Sequence, residues 1–278
     1  MKISISELTT YRAGVEPELD AYVAAGFRAV ELSLEKIGRY LAGRDVSVLR
    51  GRLATLGMVA SGAVSFAPQG PSMLLSAGPA FDAYLTNLRP QLELCHALGV
   101  SVLGVGADKA RWVSDTNWWS QAIRNLRAAA TMAEDHGVRL AIEYLSLGPP
   151  IGPFVLESLA DTKALVDEAD HAALGLCIDF FHHLRAGGTA DELRAINAGE
   201  IANIHVTDVK AKPRLELEDA DRALPGAGVA PVSAYRAAIA ATGYASYWTL
   251  ELLDPVLWER DVAEVARQSA AAMHTFAS

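Results

Sequence analysis

Cysteine is scarce in this chain. Cys95 and Cys177 are the only two in 278 residues, and both stand in apolar stretches, one helical and one extended. They are expected to be reduced core thiols of a cytoplasmic protein, with no disulfide framework. Positive charge is also in short supply: 24 Lys and Arg face 33 Asp and Glu, for a net charge of −9. Affinity for nucleic acid comes mostly from clustered Lys and Arg, so no nucleic-acid partner is expected. No run of five like charges makes a charged tail. Apolar runs of ~20 residues, the length that spans a bilayer, are missing. The opening MKISISELTTYRAG has neither a long apolar segment nor a small-residue cleavage site, so no membrane partner is expected. A glycine-rich phosphate loop is missing too: the first strand candidate, KISIS, runs into ELTTYRAG. That counts against an open dinucleotide-binding sheet.

What the chain does have is a regular alternation of short β-type runs and longer amphipathic runs. The strand candidates are KISIS (2–6), AVELS (29–33), MVASGAV (58–64), SVLGVGA (101–107), RLAIEYL (139–145), LGLCIDF (174–180), IANIHVTD (201–208) and YWTLELL (247–253). The clearest helical runs cover 79–98, 117–136, 158–169, 232–242 and 258–276. Gly26, Gly57, Gly99, Gly137 and Gly243 each close a helical run just before a strand, the C-terminal cap position. Eight such units without a linker predict a single α/β domain over 1–278, a closed (β/α)8 TIM barrel. The long irregular segments 66–78, 146–156 and 210–231 all follow strands. They belong on the C-terminal face, where barrel active sites are built.

Strand side chains alternate between faces. In the last four strands the bulky apolar set (Leu140, Ile142, Ile178, Ile204, Trp248, Leu250) suits contact with the helices. The opposite set then points into the barrel, and it holds Glu143, Asp179, His205 and Glu251, each near a C-terminal strand end. One acid alone would be an ordinary strand-end cap, and one histidine an ordinary core residue. Three carboxylates and an imidazole on consecutive strands are different, because buried carboxylates are costly unless paired or metal-bound. The set suits one divalent ion with positions left open for substrate. Mn²⁺ is the expected ion, with Mg²⁺, Co²⁺ and Zn²⁺ as alternatives. Glu31 faces inward by the same count, either as a substrate contact or as a buried structural carboxylate. Phe66 and Trp112, after the third and fourth strands, are candidate walls over a substrate ring. Trp118 and Trp119 share that segment and equally suit core or subunit contacts, so a homo-oligomer is left open.

The segments LAIEYL around Glu143, LGLCIDFFHH around Asp179, IANIHVTD around His205, DADRALPGAG around Arg222 and TLELL around Glu251 occur in order along the chain. Together they resemble the xylose isomerase-like barrels, which include sugar and inositol isomerases, ketose epimerases, inosose dehydratase and endonuclease IV. Within that superfamily, SELTT, DADR and ELLDP are most similar to inosose (2-keto-myo-inositol) isomerases. The resemblance implies a metal held by Glu143, Asp179, His205 and Glu251. It implies that Glu143 and Glu251 double as acid and base around an enediolate. It implies a keto-polyol substrate, with Arg222 on a substrate oxygen and His182, three residues past Asp179, moving a proton between neighbouring oxygens. His183 is left as a surface or helix-facing neighbour. A dehydratase of an inosose or related keto-polyol is the alternative, since it begins with the same proton removal. Endonuclease IV needs further histidines. The third and fourth units offer only Ser65, Phe66, Gly106 and Ala107, and no histidine follows Asp208 until His274. The loop LSLGPPIGPF departs from the pattern and leaves the substrate within this class open.

Overall fold

In the computed structural model, residues 1–65, 74–113 and 116–278 are described. Phe66 lies outside them. Eight parallel strands close a barrel: β1 (Lys2–Ser6), β2 (Ala29–Ser33), β3 (Val59–Val64), β4 (Val102–Gly106), β5 (Arg139–Glu143), β6 (Leu174–Asp179), β7 (Ile201–Val206) and β10 (Tyr247–Leu250). Each pairs with its neighbours in sequence, and β10 returns to β1. Between β7 and β10 a short antiparallel ribbon joins β8 (Asp208–Val209) to β9 (Arg222–Ala223). The sequence suggests one strand over 201–208. The chain instead breaks at Thr207, whose hydroxyl donates to the Asp208 and Ala223 carbonyls.

The helices are α1 (Val15–Ala25), α2 (Leu34–Tyr40), α3 (Val46–Leu56), α4 (Pro79–Leu98), α5 (Trp118–Asp135), α6 (Leu159–Ala169), α7 (Phe180–Ala186), α8 (Ala190–Arg194), α9 (Val232–Ala241) and α10 (Val262–Ala277). The five expected cap glycines all adopt positive φ. The final helix begins later than its apolar pattern suggests, because the Asp261 side chain caps it by accepting from the Glu264 N–H. Among the described residues no helix is long and apolar enough to cross a membrane.

Two apolar layers follow from strand alternation. Ile142, Leu176, Ile178, Ile204, Trp248 and Leu250 pack into the large core with the helices. Ala141, Cys177 and Ala202 form a separate small cluster. The interior residues are small or polar, so the C-terminal mouth can hold charged groups.

At that rim, a buried network ties the turn after β1 to α1 and α2. Glu7 Oε2 accepts the Ser33 N–H at 2.8 Å. Glu18 pairs with Lys36 and accepts the Thr10 hydroxyl at 2.7 Å. Glu7 and Glu18 are both fully buried, and Lys36 is 4% exposed. Two carboxyl groups thus meet one ammonium. Glu7 Oε1 and Glu18 Oε1 lack a donor unless the pair carries a proton between them. Burial pushes both acids above the ordinary carboxylate range. A raised folded-state value gives stability below that ordinary range and loses it as pH climbs through the folded value. Glu7→Gln keeps an acceptor for Ser33, adds a donor for Glu18 and leaves a neutral Glu18–Lys36 pair. It is expected to match the wild type in Tm near pH 6 and to exceed it near pH 9. Thermal melts across that range check this; a variant that loses stability at every pH would contradict the shared proton.

Candidate metal centre

The last four barrel strands each deliver one group to the same point. β5 ends on Glu143, β6 ends on Asp179, β7 carries His205, and Glu251 follows β10. Their heights are not equal in register. Asp179 pairs with His205, but Glu143 pairs with Cys177, and Thr249 pairs with His205. Glu143 therefore starts below the Asp179–His205 level and Glu251 above it. That stagger comes from the tilt of strands around a closed barrel. The side chains still converge: one ligand atom from each of the four lies within 4.8 Å of the others. His205 Nδ1 is central, 3.4 Å from Glu143 Oε1, 3.4 Å from Glu251 Oε2 and 3.7 Å from Asp179 Oδ2.

The other imidazole nitrogen explains Glu31. His205 Nε2 lies 3.0 Å and 3.1 Å from the two Glu31 oxygens. Asn203 Nδ2 donates to Glu31 Oε1 at 2.7 Å. Glu31 is fully buried under the imidazole and reaches His205. The structural alternative thereby has its partner. A carboxylate on Nε2–H fixes the ring and leaves Nδ1 for the cluster. Glu31→Ala is expected to weaken divalent-ion binding by about 10- to 100-fold, the usual cost of losing such a partner. Calorimetric titration checks this, and unchanged affinity would show that the ring is held by other means.

Arg222 closes the site from the β8–β9 ribbon. Its Nη1 donates to Asp179 Oδ2 at 2.7 Å and stands 3.4 Å from Glu251 Oε2. Its Nε donates to Asp219 at 3.2 Å, and its guanidinium lies over Phe181, 4.6 Å from the ring centre. The electrostatics follow. Burial works against the Asp179 charge, but Arg222, His182 and His205 hold its carboxyl far below the usual range. Burial, reinforced by Glu143 and Asp179, pushes Glu251 up to about 8 despite His205 and Arg222. Burial opposes a charged His205, and the acids Cys177, Glu251 and Glu31 outweigh it, raising the imidazole well above its ordinary value.

His182 is placed behind Arg222. Its Nδ1 lies 3.2 Å from the Ser146 carbonyl oxygen, and its Nε2 is 3.4 Å from Arg222 Nη2. Since Arg222 can only donate, Nε2 accepts, while Nδ1 lies 3.2 Å from both the N–H and the carbonyl oxygen of Ser146. Both ring nitrogens are thus engaged, and the ring is 3% exposed. In this geometry it supports Arg222. His183 is buried and helix-facing, against Tyr144 and Tyr235. Trp112 does not join the cluster. It lines a separate small cavity with Leu75, Ser76, Ala77, Trp118 and Gln121, and Lys109 and Arg111 lie over its ring. Asn203, Phe181 and Asp219 join the site without being singled out by the strand pattern. Asn203 shares the inward face with His205, which was the available signal. Phe181 acts on Arg222 across the fold, which no spacing rule reveals, whereas Asp219 stands only three residues before it in DADR.

The donor set fits a divalent cation. Three carboxylates and one imidazole nitrogen are a hard, oxygen-rich set, and the Glu31 carboxylate stands behind the imidazole.

The chain is thus a closed parallel barrel with an acidic, histidine-bearing cluster, a candidate metal centre, at the C-terminal strand ends. The chain belongs to the xylose isomerase-like TIM barrel family, whose model matches residues 19–275. It is 25% identical over 187 residues to an inosose isomerase of Bacillus subtilis, covering 67% of this chain and 66% of that protein. So the match spans just under two thirds of that relative. It is 28% identical over 250 residues to a 3-dehydroshikimate dehydratase of Pseudomonas putida, covering 88% of this chain and 37% of that protein. Among solved structures, the IolI protein with a bound zinc atom superposes with a TM-score of 0.87 at 19% identity, over 99% of this chain and 98% of that one.

Proposed function

We propose that this chain is a divalent-metal-dependent isomerase or epimerase of a keto-polyol, with an inosose as its substrate. The observation that carries the reading is the convergence of Glu143, Asp179, His205 and Glu251 within 4.8 Å beside the buried guanidinium of Arg222. The similarity to inosose isomerases supports the substrate class, and the zinc in the IolI structure supports the use of a cation. Mn²⁺ is the ion proposed for this chain, with Zn²⁺, Mg²⁺ and Co²⁺ as alternatives. Bound by the four side chains, it would supply Lewis-acid stabilisation of negative charge on the substrate oxygens.

The chain's own groups do the rest. Proton removal beside a ketone needs a placed base and a partner for the developing charge. Glu143 and Glu251 approach from either side of the Asp179–His205 pair, so one takes the proton from the carbon and the other returns one to its neighbour. Arg222 donates to a substrate oxygen as charge develops there. His182 and Phe181 keep the guanidinium in place.

A dehydratase is the second reading, favoured by the likeness to 3-dehydroshikimate dehydratase. Incubation of the Mn²⁺-loaded protein with 2-keto-myo-inositol in D₂O separates the two. Deuterium at a carbon beside a retained ketone supports the isomerase. Loss of water to an ultraviolet-absorbing dione supports the dehydratase. No deuterium from any inosose or ketose would remove both.

A further inference from the structure

We propose that Asp208 is a positioning residue that aims Arg222 at the metal centre. The effect on turnover rests on the function proposed above. Asp208 opens β8 and is 1% exposed. Its Oδ1 accepts the Val209 and Ala230 N–H groups, both at 2.8 Å. Its Oδ2 accepts the Gly226 and Gly228 N–H groups, both at 3.0 Å. Four backbone donors therefore use the whole acceptor capacity of one carboxylate. All but Val209 come from the loop that begins at Arg222.

That arrangement gives a physical reason for the Arg-x-x-Pro-Gly-x-Gly run. Gly226 has φ +85°, a left-handed turn. At Gly228 an added Cβ would stand 2.2 Å from the Val209 oxygen and 2.5 Å from Asp208 Oδ1. Both glycines let the backbone wrap a carboxylate, as anion-binding loops do. The anion here is the chain's own Asp208, so this loop is already filled and is not a substrate phosphate site. Val209 pairs directly with Arg222 across the ribbon, and the Val229 N–H donates to the Val209 carbonyl at 3.0 Å. The carboxylate thus locks both sides of the residue from which the guanidinium extends.

The lock matters because the other anchors of Arg222 have a second use. Asp179 and Glu251 belong to the candidate metal ligands. Once they serve a cation, Asp219, His182, the Phe181 face and the backbone lock are left to hold the guanidinium. Asp208→Asn keeps one acceptor oxygen but turns an NH₂ toward two N–H groups. The loop must shift, and a displacement of about 1 Å at a catalytic group can cost about 10²-fold in rate.

The test is a double-mutant cycle on kcat/KM with Asp208→Asn and Arg222→Ala. Asp208→Asn alone is expected to lose about 10²-fold, mainly in kcat, with divalent-ion affinity unchanged. In the Arg222→Ala background the same change is expected to cost little. Losses that simply add would show that Asp208 acts elsewhere and would overturn the proposal. If Asp208→Asn fails to fold, Gly228→Ala, which crowds the carboxylate from the loop side, takes its place in the cycle. A readout without substrate separates this proposal from the function itself. The Arg222 Nε–H resonance and amide protection at Gly226, Gly228 and Ala230 are expected to weaken in the variant. If the wild type turns over no keto-polyol, the proposed function fails while this arm still decides. An unchanged Arg222 signal would overturn the positioning role.

Discussion

Glu251→Gln is expected to slow proton exchange beside the substrate ketone by about 10³-fold, within the 10²–10⁴ range of a positioned acid or base. The fold should survive. In the metal-free chain burial and neighbouring acids push Glu251 up to about 8, so near neutral pH it already holds a proton, and Gln replaces like with like. A raised folded value gives stability below the ordinary carboxylate range and loses it as pH rises through about 8. The variant should therefore match the metal-free wild type in Tm at pH 6 and exceed it at pH 9. Glu143→Gln should show a similar loss of exchange. Glu143 is the most open of the four ligands, with its side chain 15% exposed, so its replacement should hardly move the metal-free Tm. Exchange within tenfold of the wild type in either variant would remove that residue from the acid–base pair.

The second large effect concerns the cation. A divalent ion at 100 times its dissociation constant is expected to add about 2.7 kcal/mol to stability, or about 5 °C in Tm for a chain of this size. Binding should release protons, because His205 must give up the one on Nδ1 and Glu251 its own. Affinity should therefore fall as pH is lowered from 8 to 6. His205→Ala removes the central nitrogen and should abolish both the Tm shift and the proton release. Titration calorimetry in two buffers of different ionisation enthalpy reads both. A full shift in His205→Ala would place the ion elsewhere.

Much of this was legible in the chain. Eight strands were readable because parallel barrel strands are short apolar runs with a two-residue period. Glu143, Asp179, His205 and Glu251 were readable because that period assigns each a face. What alternation cannot supply is height. The stagger that sets Glu143 level with Cys177 comes from strand tilt, a property of the closed sheet. The partner of Glu31 was hidden for a similar reason, since His205 is 174 residues away in sequence. Trp112 was not placed by the sequence because a tryptophan after a strand has no pattern that separates a substrate wall from a side cavity. The Pro-Gly-x-Gly turn was visible as a motif, but its occupant, Asp208, appears only once the ribbon brings the two segments together.

The central expectation is that four side chains at the ends of the last barrel strands form a single metal centre. Anomalous diffraction from crystals loaded with Zn²⁺ tests it most directly. One strong peak is expected about 2.0–2.2 Å from a carboxylate oxygen of Glu143, Asp179 and Glu251 and from Nδ1 of His205, the usual range for zinc. No peak among these residues, or a peak that leaves out His205, would contradict it.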